Sequence, residues 1–172
     1  MSSYHLWDQM HTEEEKARVA KTIEGTEKLI VLCEKKRDEL RKDVDEITES
    51  LFRHNFITNN SKSIIDAQAH ALSLRHRIND DIAKYATRLT KVKANITNIE
   101  QQRMVFYHTN FGLKTNGGEK KILIEGHLSE NRRMEHVLEI HIEFLRATDK
   151  ILESYQFGVK NTISLMEILG KQ

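Results

Sequence analysis

The sequence predicts an all-α protein: an elongated antiparallel three-helix bundle whose helices carry coiled-coil-like heptad seams. Three observations predict it. The 172 residues include no proline and only seven glycines. Proline breaks helix interiors and punctuates loops, so its absence favours few, long helices over a many-turned β-fold. Charged residues make up 31% of the chain against 38% hydrophobic, the balance of narrow apolar stripes on wet helices rather than a thick core. Apolar residues also recur at alternating spacings of three and four over three long stretches, which is the heptad period. The length suits one domain. The expected division is an N-terminal segment, residues 1–11, and a single helical-bundle domain, residues 12–172, with helices at about 12–54, 62–111 and 119–170.

The first helix opens on a capping box. In Thr12-Glu13-Glu14-Glu15 the Thr12 hydroxyl can accept from the Glu15 amide while the Glu15 carboxylate reaches back to the Thr12 amide. The three acids also suit the positive end of the helix dipole. The seam then reads Val19, Ile23, Thr26, Ile30, Cys33, Arg37, Leu40, Val44, Ile47 and Leu51. The link that follows holds the turn formers Asn59, Asn60 and Ser61. In the second helix the seam runs from Ile64 through Ala67, Ala71, Leu74, Ile78, Ile82 and Tyr85 to Phe106, with a stutter at Leu74–Ile78–Ile82. Asn116-Gly117-Gly118 marks a second loop, where positive φ is expected. KKILIEGHLSE, residues 120–130, reads as the first turns of the third helix. That helix's seam is Met134, Leu138, His141, Leu145, Thr148, Leu152, Tyr155 and Val159. A neighbouring row of Val137, Phe144, Ile151 and Leu165 is expected to widen its buried stripe.

No catalytic or metal constellation emerges. Two metal ligands on one helix face need spacings of three or four, but His136 and His141 are five apart and His70 and His76 six. His141 lies on a seam and reads as a core histidine bonded to a neighbour. Cys33 is likewise a seam residue. The glycine pair precedes lysines without the Gly-Lys-Ser/Thr of a phosphate loop. The expectation is therefore a non-enzyme without cofactor or metal. Arg37 and Arg103 sit on seam positions, and the simplest reading is snorkelling, with guanidiniums reaching flanking acids such as Glu34 and Glu100.

A net charge of +1 gives no global attraction to nucleic acid. The first fifteen residues lack the basic and apolar regions of an export signal, no apolar run approaches a membrane span, and a lone cysteine suits a reducing compartment. A cytoplasmic location is expected. Local clusters are more informative. Lys35, Lys36, Arg41 and Lys42 on the first helix fall level with Arg75 and Arg77 on the second, a candidate anionic-surface patch, although acids are interleaved with them.

The stretch LIVLC, residues 29–33, poses a different question. Five consecutive apolar residues at ~100° each go right round a helix, and with Ile30 and Cys33 on the seam, Leu29 is a flank while Val31 and Leu32 point outward. Ile140 and Ile142 overflow the third helix's seam at a similar height, and Leu6 and Trp7 precede the first cap. These six residues form the candidate partner interface. The leading functional expectation is a non-enzymatic structural or scaffolding protein acting through helix–helix contacts, by self-association or with a protein partner. The alternatives are a BAR-like dimer that binds curved anionic membrane and a small-molecule-binding bundle or enzyme without a recognisable motif.

Overall fold

The computed structural model describes residues 12–52, 61–109 and 117–169. They form three helices: α1, Glu13–Phe52; α2, Ser61–Thr109; and α3, Gly117–Leu169. No strand occurs among the described residues, and the all-α three-helix bundle is the fold. Leu6 and Trp7 of the expected interface lie outside the described residues.

The capping box forms as its residue types dictate. The Thr12 amide donates to Glu15 Oε2 at 3.0 Å, and the Glu15 amide donates to Thr12 Oγ1 at 3.3 Å. The expected glycine loop is a correction. α3 begins at Gly117, so Gly117 and Gly118 are helical, and no described glycine has positive φ. Residues 120–130 continue α3 without a break, with Ile124 and Leu128 buried.

The chain divides into two compact units, each built from one segment of every helix. Unit 1 holds the described residues up to Leu32 together with Arg88–Glu139; unit 2 holds Cys33–Thr87 and the described residues from Ile140 onward. Within unit 1, Tyr107 meets His127, Asn95 meets Asn131 and Lys93 meets Glu139. As the α2 number falls the α3 number rises, so these helices are antiparallel. Glu27 pairs with Arg133, which sets α1 beside α3. In unit 2, Lys36–Asp81 and Asp43–Arg77 make α1 and α2 antiparallel, and Arg75–Asp149 sets α3 against α2.

The core of unit 1 contains Thr26 and Leu29 from α1, Ile96 and Tyr107 from α2, and Ile124, Leu128 and Leu138 from α3. Unit 2 buries Cys33, Leu40 and Ile47 against Ala67, Ala71, Leu74, Ile78 and Tyr85, and against His141, Ile142, Leu145, Thr148, Leu152 and Val159. The small Ala67 and Ala71 let α2 lie close to its neighbours. Buried Thr26 and Thr148 satisfy their hydroxyls locally, donating to the carbonyls of Thr22 and Phe144 at 2.8 and 2.9 Å.

Two expectations about the seams change. On α1 the expected seam residues Thr26, Cys33, Leu40 and Ile47 are buried, but Leu29, expected as a flank, is 1% exposed, and Ile23, expected on the seam, is 40% exposed. Lys36 and Asp43 are half-buried like the seam residues Arg37 and Val44, and each finds its opposite charge on α2. On α3, Val137 and Phe144 are half-buried as expected, but Ile151 and Leu165 face solvent. Phe144 is covered by the guanidiniums of Arg37 and Arg41, 5.8 and 5.5 Å from its ring centre. Among the described residues, the row has no such cover further along.

Candidate functional site

The basic cluster of unit 2 is largely neutralised. Lys36 Nζ lies 2.5 Å from Asp81 Oδ2 and 5.6 Å from the Tyr85 ring centre. Arg75 donates through Nε to Asp149 Oδ1 at 2.8 Å and through Nη2 to Oδ2 at 3.3 Å, while Nη1 donates to Gln156 at 2.9 Å. That fork-to-carboxylate bond holds the Arg75 pKa above its ordinary value, with burial opposing it. Arg77 pairs with Asp43, Arg41 with Asp38 at 3.0 Å, and Lys35 with Glu39 at 3.9 Å. Of the six expected patch residues, Lys42 alone has no carboxylate partner among the described residues. The interleaved acids thus compensate the basic level on which the membrane reading rested.

The apolar candidates separate. Val31 and Leu32 are exposed in unit 1, and Ile140 is exposed in unit 2. Ile142 is 5% exposed. It is a core residue of unit 2, because the buried row of α3 there spans His141, Ile142 and Leu145 rather than the single seam read from the sequence.

A broader exposed surface lies further along α3. Ile151, Gly158 and Leu165 are seven apart, as are Ser154, Asn161 and Ile168, and every one of these is exposed. The two rows are offset by three, which is the a/d relationship of a heptad seam. Phe157, 65% exposed, flanks them. The charges of this stretch, Glu153, Lys160 and Glu167, keep to a row of their own. At ~100° per residue the Ser154–Ile168 row lies opposite buried Leu152 and Val159, and the Ile151–Leu165 row lies roughly 100–140° from them. Periodicity had placed Ile151 and Leu165 in the core. Charge could not have separated them, because the inner row of Leu152, Tyr155 and Val159 is equally free of charge.

Two buried polar clusters join the helices within the units. In unit 2, Arg37 does not reach a flanking acid. Its Nε donates to His141 Nδ1 at 3.4 Å, and the His141 and Tyr85 rings meet edge to face, 4.5 Å between centres. The bond from Arg37 leaves the imidazole proton on Nε2, which is buried without a partner among the described residues. Burial first, then the charges of Arg37 and Lys36, push the His141 pKa down to about 4, with Asp81 acting weakly the other way. His141 is thus neutral near pH 7, as a core histidine should be.

In unit 1, Arg103 reaches across to α1: its Nη2 lies 2.6 Å from Glu15 Oε1, while Glu15 Oε2 holds the Thr12 amide. The expected partner, Glu100, is not used. One carboxylate therefore caps α1 and ties it to α2. Beside this pair Tyr107 and His127 share a 2.9 Å hydrogen bond, and burial raises the Tyr107 pKa. A cleft of about 270 Å³ opens here, lined by Glu15, Arg18, Thr22, Arg103, Phe106 and His127, among others. Its one acid is committed to Arg103 and the Thr12 amide, and its histidine is hydrogen-bonded to Tyr107. Cys33 is buried in unit 2. No group of three or more His, Cys, Asp or Glu side chains among the described residues is placed to hold a metal ion, and no described helix is long and apolar enough to cross a membrane. No protein-family model matches the sequence, and comparison with curated proteins and with solved structures finds no match.

Proposed function

We propose that this protein is a non-enzymatic scaffold that self-associates through helix–helix contacts, and that the outer seam of α3 is the contact. The observation that carries the reading is the second heptad face: Ile151, Leu165 and Ile168, with Phe157 beside them, repeat at coiled-coil spacing on the side of α3 turned away from the core. A seam with this period matches another helix better than it matches an irregular surface. A second copy of the chain suits it because two-fold contacts must be self-complementary. A stripe without charge meets itself without repulsion, whereas a charged stripe would oppose its own copy.

The test is particle mass by light scattering during gel filtration. The chain is 20.1 kDa; the wild type should run at twice that mass or a higher multiple. Phe157→Glu with Leu165→Glu places one charge in the seam and one on its flank and leaves buried Leu152 and Val159 intact. This variant should keep its helical circular dichroism and fall to the mass of one chain. A wild type of single-chain mass at ~100 µM, or a double variant of unchanged mass, overturns the reading.

A further inference from the structure

We infer that unit 1 carries a binding site for a small anion bearing two or more phosphate groups, in the groove formed by Lys21 and Thr22 of α1, Arg88, Lys91 and Asn95 of α2, and Asn131 of α3. The groove is shallow and open to solvent, with a volume of about 320 Å³, and no carboxylate lines it. Among the described residues, Lys21, Arg88 and Lys91 have neither an ion pair nor a side-chain hydrogen bond, whereas almost every cation of the basic cluster in unit 2 is paired.

The imbalance has an origin in sequence. Residues 82–99 contain Lys84, Arg88, Lys91 and Lys93 and no Asp or Glu, and residues 16–23 contain Lys16, Arg18 and Lys21 and no acid. Glu24, the first acid after residue 23, and the acids of α3 that face Lys93 are already engaged. Glu24 takes Lys28 at 2.5 Å, and Lys93 takes Glu139 at 2.8 Å and Glu135 at 3.6 Å. Three cations thus converge on one concavity with no internal counter-charge, which focuses positive potential there.

The uncharged groups suit a phosphate as well. Asn95 Nδ2 donates to Asn131 Oδ1 at 3.2 Å, which leaves the Asn131 amide N–H groups as donors. Thr22 and Asn131 also line the neighbouring cleft, where Arg18 is a fourth cation with no partner among the described residues. A guanidinium matches two phosphate oxygens at once, and an ammonium acts as a point charge. Arg88 with Lys21 and Lys91 offers both, so a ligand with linked phosphates gains over single phosphate by bridging them. Such a group can come from a soluble polyphosphate or from a phosphorylated lipid headgroup.

The test is titration calorimetry of the whole chain with inorganic phosphate, tripolyphosphate and inositol hexakisphosphate at 50 and 300 mM salt. A parallel arm uses co-sedimentation with phosphatidylcholine vesicles with and without a bisphosphorylated phosphoinositide. Linked phosphates should bind at least tenfold more tightly than inorganic phosphate and weaken steeply with salt. Lys21→Gln/Arg88→Gln/Lys91→Gln should weaken binding at least tenfold with unchanged circular dichroism. The charge-matched control Lys35→Gln/Lys42→Gln/Lys150→Gln, on exposed residues of unit 2, should bind as wild type does. Vesicle binding that tripolyphosphate displaces names the lipid as the source, and soluble binding without vesicle binding names the free anion. Equal losses in both triple variants would reduce the effect to net charge. Equal affinity for single and linked phosphates would remove the site. Either result overturns the inference.

Discussion

Replacing His141 with leucine should change how stability depends on acidity. In an unfolded chain the imidazole titrates near 6.5; in the folded protein it titrates at about 4. A folded-state pKa below the unfolded value means that, as pH falls through 6.5, the unfolded chain takes up a proton that the native chain refuses. Stability then declines by about 1.4 kcal/mol per pH unit until the native pKa is reached, for a loss of roughly 3 kcal/mol. Leucine removes this linkage. It also removes the buried Nε2 donor that lacks a partner, a liability of ~1–3 kcal/mol. Against that, it forfeits a long 3.4 Å bond from Arg37, whose half-exposed head can turn to water. Near pH 7.5 the variant should match or slightly exceed the wild type. At pH 4.5 it should exceed it by a further 2–3 kcal/mol. Urea unfolding followed by circular dichroism at half-unit steps from pH 4 to 8 measures both curves. Carboxylates titrate in both proteins, so the difference between the curves isolates His141. Parallel curves across that range would show that the imidazole is either charged or hydrated in the native state, and the reasoning would fail.

Two further substitutions test the packing. Leu29→Ala should cost about 2–5 kcal/mol because the side chain is buried, whereas Ile23→Ala should cost under ~1 kcal/mol; a reversed order in chemical denaturation would restore the register read from periodicity. Glu15→Gln keeps a capping-box residue type but removes the charge facing Arg103, for a loss of about 1 kcal/mol, and Glu15→Ala should roughly double it by deleting the cap as well. Equal stabilities of the two Glu15 variants would show that the cap contributes nothing measurable.

Much of the fold was legible because each signal was local. Thr12 and Glu15 are three residues apart, and their reciprocal bonds follow from helix geometry alone. The α2 seam was legible because Ala67, Ala71, Leu74, Ile78, Tyr85 and Ile96 are all apolar and all buried. On α1 the buried Thr26, Cys33, Leu40 and Ile47 were legible too, but Leu29 was not, nor were the half-buried Lys36 and Asp43. A count of apolar residues rejects those positions, and the partners that make them tolerable, Asp81 and Arg77, lie on another helix. The same limit applies to Arg103. A reading confined to its own helix finds Glu100; the structure supplies Glu15 from α1.

The candidate sites show why charge has to be read by face. Basic residues are dense in both Lys35–Lys42 and Lys84–Lys93, and the first cluster looks the stronger because five cations fall within eight residues. Yet that cluster carries its own acids, and folding brings Asp81 to Lys36 and Asp149 to Arg75. The second has no acid between residues 82 and 99, so folding finds little there to cancel. Near-complete pairing in one place and three unpaired cations around one groove in another follow from where the acids were left out. The outward face of α3 obeys the same logic with the sign of the argument reversed. Glu153, Lys160 and Glu167 are spaced so that their charges share one row, which leaves Phe157, Leu165 and Ile168 free of charge on the face beside it. In both places the informative feature is a residue type missing from one face, and an unbroken count along the chain averages that feature away.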